Sequence, residues 1–137
     1  MITNNGVASV RDVIAQQIKS LQGTWKQIGY EKDGEAEPLD ELGWEPRLAI
    51  TGDKFVVTLA NGRIPFEGTY KLDPTRQPKA IDWTDAIGED AGKTLLGIYS
   101  LEGDRFVFCV AAPVRERPAE FRTQPGQVLR VNRREIL

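Results

Sequence analysis

From Gly23 onward the chain alternates between apolar and polar residues with a period of two, and short glycine-containing turns interrupt the alternation about every ten residues. No other feature constrains the fold as strongly. A two-residue period sends successive side chains to opposite faces, so each such segment reads as a half-buried strand. Strands are expected near 24–32, 46–51, 54–60, 63–73, 79–84, 94–101, 105–112 and 127–134. Their separators include Asp33-Gly34, Gly52-Asp53, Asn61-Gly62 and Gly103-Asp104, which close tight antiparallel hairpins. About eight strands pairing in sequence order can form an up-and-down antiparallel barrel, which hides every sheet edge and leaves room for side chains or one small ligand. An open sandwich is the competing architecture.

One segment departs from this period. Val10, Val13, Ile14, Ile18 and Leu21 form the stripe of a short amphipathic helix over 9–21. Ser9 and Asp12 resemble a capping box, and Gly23 supplies a stop. Whether the helix caps an end of the barrel or packs outside it, Val13, Ile14 and Ile18 are expected to be buried. The expectation is one all-β domain over 1–137, with the barrel at 23–135. The longer connections at 33–45, 74–78, 85–93 and 113–126 are candidate lids or rims.

Composition removes several function classes. A length of 137 residues suits one core. Eighteen basic side chains against 20 acidic ones give a net charge of −2, too balanced to drive binding to nucleic acid. No apolar run approaches the roughly 20 residues of a membrane span, so no membrane insertion is expected. Met1 to Gly6 lacks a basic, apolar leader, so the chain as written reads as cytoplasmic, and as exported if a leader has been removed. Cys109 is the single cysteine and histidine is absent, which excludes an internal disulfide, Ser-His or Cys-His catalysis and imidazole metal sites. No metal or cofactor is expected.

Several motifs occur together in order: Leu21-Gln22-Gly23-Thr24-Trp25, the run from Gly68 to Thr75, Pro78 to Asp82, Gly92 to Tyr99, and Glu116 to Phe121. In this combination the chain resembles an uncharacterised bacterial lipocalin-like domain family abundant in planctomycetes, over residues 21–135. The resemblance implies a lipocalin-like barrel and carries no established activity or ligand. Two departures stand out. Many relatives carry export signals that this chain lacks, and Arg130 and Asn132 occupy places where relatives tend to be apolar.

Alternation sorts the strand residues into two faces. Phe55, Val57 and Leu59 share one, as do Phe66, Tyr70 and Leu72, and Phe106, Phe108 and Val110; these faces are expected inward. In the lipocalin pattern the first-strand tryptophan closes one end, which directs Trp25 inward with Gln27 and Glu31 on its side. Gln27 and Glu31 then need partners, and Arg130 or Arg134 on the last strand are in reach. Trp25 reads first as a core plug stacked by an arginine. Tyr70, Trp83, Tyr99 and Phe108 serve either as packing or as apolar walls of a small-molecule pocket. Arg117 reads as a loop latch or as a fork for a carboxylate or phosphate.

The last segment carries six arginines against three glutamates, a local +3 that would suit an anionic ligand at one rim. Asp82, Asp85, Glu89 and Asp90 raise calcium as a thought, but their spacing does not match an EF-hand. Cys109 faces opposite Phe108 and reads as a small structural residue. The candidate ligand-binding set is therefore Trp25, Gln27, Tyr70, Trp83, Tyr99, Phe108, Arg117 and Arg130.

The favoured function is binding of a small apolar or amphipathic molecule. A protein-interaction or inhibitor module, or a homodimer, is the alternative; it predicts a filled lumen and an exposed patch at Leu39, Leu42 and Trp44. A third reading, an enzyme with a Tyr/Glu/Arg-lined cavity, predicts a carboxylate or tyrosine in an apolar pocket with a shifted pKa.

Overall fold

A computed structural model describes residues 9–38 and 45–135; Leu39, Leu42 and Trp44 fall outside them. Helix α1 (Val10–Leu21) is followed by β1 (Gly23–Lys32), β2 (Glu35–Ala36), β3 (Arg47–Thr51), β4 (Lys54–Thr58), β5 (Phe66–Asp73), β6 (Lys79–Asp85), β7 (Thr94–Glu102), β8 (Arg105–Ala111) and β9 (Gln127–Arg134). Every pairing is antiparallel, and from β3 onward each strand pairs with the next. β1 pairs with β3 on one side and β9 on the other, which closes β1 and β3 to β9 into a barrel of eight strands. The chain is a closed lipocalin-like barrel rather than a sandwich. β2 is an addition, a two-residue hairpin return on the end of β1.

The strand bounds follow from local chemistry. β5 begins at Phe66 rather than at residue 63, because Pro65 has no N–H to give to a ladder. In β1 the register against β9 shifts between Gln27 and Gly29, leaving Ile28 as a bulge. One extra residue exchanges inside for outside from that point on. Trp25 and Gln27 face the lumen as alternation predicts, but Glu31 does not. It points out of the barrel, where its carboxylate accepts from the Thr123 hydroxyl at 3.0 Å, and Tyr30 takes the inward place.

Helix α1 closes one end. The Ser9 hydroxyl accepts from the Asp12 N–H at 3.1 Å, capping its start. At its other end, Arg134 of β9 donates to the Ser20 and Gln22 carbonyls at 2.5 and 2.6 Å, satisfying groups that helix geometry leaves unpaired. The same guanidinium lies 4.2 Å over the Trp25 ring, whose indole N–H donates to the Leu21 carbonyl at 2.9 Å. Only Leu21 of the apolar stripe is fully buried. Val13, Ile14 and Ile18 are half-buried, since the helix meets the barrel through its last turn.

Two apolar clusters result. The larger fills the lumen beside the helix with Trp25, Tyr99, Phe106, Ile81, Leu72 and Tyr70. The smaller is Ile98, Val107, Cys109 and Leu129, which alternation puts on the outer face of β7, β8 and β9. These outward side chains are nonetheless buried. The 112–126 connection crosses them, pinned to β6 and β7 by Arg117, which donates to the Asp82 carboxylate and the Gly97 carbonyl, both at 2.7 Å. Its far end is pinned by Thr123, whose hydroxyl also accepts from the Gly34 N–H at 2.7 Å.

Candidate functional site

The lumen is divided by Trp83. Its ring packs against Phe55 and Phe108, each with centroids 4.8 Å away, and touches Tyr70 and Phe106 on the helix side. Below it the barrel is solid. Above it lies a cavity of about 210 Å³, open at the end away from the helix. That is below the range of drug-sized ligand pockets, which run from about 300 Å³ upward, and suits only a small molecule.

The cavity walls are mostly apolar, because the inward positions at this level are Leu48 on β3, Phe55 and Val57 on β4, Leu95 on β7, and Phe108 and Val110 on β8. Phe66 and Val128 stand nearer the mouth. Polar groups enter from two sides. Gln27, Arg130 and Asn132 come from β1 and β9, while Asp85 and Asp90 come from the end of β6 and the loop after it.

The β1 and β9 side is highly ordered. Arg130 donates through Nη1 to the Gln27 side-chain oxygen at 2.9 Å, and its guanidinium carbon lies 4.7 Å from the centroid of the Tyr30 ring and 5.8 Å from that of Phe66. Asn132 is held by donating to the Phe106 carbonyl at 3.2 Å. The ion pairs among the described residues join Arg47 to Glu135, Lys93 to Asp90, Arg117 to Asp82 and Arg134 to Asp104. Arg130 has no carboxylate partner among them. Burial away from water pulls its pKa down from the ordinary arginine value.

The acidic side behaves in the opposite sense. Partial burial pushes the Asp85 carboxyl up from its ordinary value, and the neighbouring Asp90 charge adds to this. No group of three or more Asp, Glu, Cys or His side chains is placed to hold a metal among the described residues.

Of the eight residues picked out by sequence, Gln27, Trp83, Phe108 and Arg130 line the cavity. The other four are elsewhere. Trp25, Tyr70 and Tyr99 belong to the solid half, where the Tyr70 hydroxyl donates to the Gly52 carbonyl at 2.5 Å and the Tyr99 hydroxyl to Gln17 at 2.8 Å. Arg117 lies outside the barrel as a latch. Burial raises the pKa of both tyrosines, as expected for phenols locked against a helix rather than poised in a pocket. Sequence reasoning missed Tyr30, hidden by the bulge, and weighed Asp85 and Asp90 only as calcium ligands, not as cavity residues. Asn132 carried a signal, since it shares the inward period of the last strand with Arg130.

No family model matches this chain, and no curated protein matches it either. No helix among the described residues is long and apolar enough to cross a membrane.

Proposed function

We propose that this protein binds a small, mostly apolar molecule in the half of the barrel remote from the helix, as a lipocalin-like carrier or sensor of the bacterial family its motifs resemble. The observation that supports this reading is an apolar cavity with a hydrogen-bonded arginine in its wall that forms no ion pair among the described residues. Apolar walls supply affinity by area, and a few fixed polar groups supply orientation. A chain selected only for stability would fill this space, because each void forfeits contacts and a buried cation carries a desolvation cost. The interaction-module reading needs a filled lumen and loses that support here.

Native mass spectrometry of protein purified without denaturation should retain a small molecule that acid releases. Replacement of Leu95 by Phe, which adds volume at the cavity wall, should abolish retention while the fold and unfolding midpoint stay near wild type. Retention unaffected by Leu95→Phe would place the ligand elsewhere, and failure to bind any of a panel of small apolar molecules would end the proposal.

A second reading, an enzyme, draws on Asp85, a carboxyl in a largely apolar cavity with a raised pKa. A ligand recovered chemically unchanged after long incubation with the protein counts against it.

A further inference from the structure

The two polar sides of the cavity differ in what they leave unsatisfied. Arg130 spends one N–H on Gln27, and its guanidinium carbon lies over the Tyr30 ring at 4.7 Å and over the Phe66 ring at 5.8 Å. Its remaining N–H groups donate to no protein atom among the described residues, and the residue lines the cavity. A guanidinium with free N–H groups presents a planar fork of donors that matches the two oxygens of a carboxylate. Asn132, on the same inward row of β9, is already engaged with the Phe106 carbonyl and adds polarity without charge. On the opposite side Asp90 has Lys93 at 3.8 Å, so part of that negative charge is already balanced within the protein.

Resting on the binding function proposed above, we infer that the ligand is a small monocarboxylate whose carboxylate sits on the free edge of Arg130 and whose apolar body lies against Phe108, Trp83 and Val57. The ligand completes a charge pair that the protein leaves open. Gln27 is the positioning residue: a neutral amide oxygen holds Arg130 in place without consuming its charge, as a glutamate there would. The Tyr30 and Phe66 rings add cation–π contacts to the same guanidinium.

Isothermal titration with matched probes tests this. The probes are 3-phenylpropanoate, its primary amide and 3-phenylpropylamine, with octanoate and octanamide as a second apolar shape. Each acid should bind at least about tenfold more tightly than its amide, the range expected of hydrogen bonds to a charged group. In Arg130→Gln the acid should lose its advantage, so that acid and amide bind alike. Gln27→Glu gives an independent check in a protein that keeps the arginine, because the new carboxylate pairs with Arg130 internally; the ratio of acid to amide affinity should fall well below that of wild type. Equal binding of acid and amide to wild type would overturn the carboxylate assignment while leaving the cavity as a binding site. Preference for the amine would overturn it in favour of Asp85 and Asp90. Failure of all probes, amides included, would overturn both the assignment and the binding function on which it rests.

Discussion

The two halves of the lumen are built from the same strands and the same alternation, yet one is solid and the other hollow. Beside the helix, Trp25, Tyr99 and Phe106 interlock, with ring centroids 5.6 and 6.3 Å from Phe106, and each polar tip has a partner on the helix or a turn. Beyond Trp83 the inward residues are mainly aliphatic and leave space, and the charged groups there lack the full pairing seen below. The contrast teaches that one set of strands can close tightly around aromatic side chains at one end and leave a cavity at the other, where the binding site is proposed.

The sharpest way to break that contrast is to truncate one aromatic in each half. Trp25→Ala should cost about 3–5 kcal/mol in urea unfolding, the usual loss for a buried aromatic with a cavity left behind. Phe66→Ala, at a mouth residue that is 40% exposed, should cost less than about 1 kcal/mol. Equal losses would mean that the open half carries as much of the fold as the plugged one.

A middle-sized effect concerns the outside of the wall. Arg117→Ala removes the latch to Asp82 and Gly97, and should lower stability by about 1–2 kcal/mol, discounted for the partial exposure of the pair. It should also speed alkylation of Cys109, which lies in the outer cluster and whose thiol burial has pushed up to about 11. Unchanged labelling would show that the 112–126 connection does not shield that cluster.

The smallest effect belongs to the hollow half. Because the folded-state pKa of Asp85 is raised, its contribution to stability is fully present below the ordinary carboxyl value and is lost as pH rises through the raised one. Asp85→Asn should therefore unfold at a slightly higher temperature than wild type at pH 7, with the gap closing below about pH 4. A less stable mutant at pH 7 would mean that the ionised carboxylate is satisfied by a partner.

Much of this was legible without coordinates. The hairpin turns and the two-residue period located the strands within a few residues, because turn chemistry and side-chain alternation act locally. Gln27 and Phe108 were found by following inward parity, Trp83 as an aromatic wall and Arg130 as the cation in reach of Gln27. Tyr30 and Glu31 exchanged roles because the bulge at Ile28 is invisible to a pattern that an exposed isoleucine does not interrupt. Tyr70 and Tyr99 were grouped with the cavity because alternation gives the face of a residue and not its height along the barrel.

The amino-acid sequence by itself determined the strands, their antiparallel order, the capped helix and, except beyond the bulge in β1, which faces turn inward, since each depends on neighbours a few positions away. Only the tertiary structure decided where the lumen is filled, which arginine is stapled to the helix and which is left without a counter-charge. Those outcomes depend on the summed volumes and charges of side chains brought together from eight strands around the barrel, and no local pattern encodes that sum.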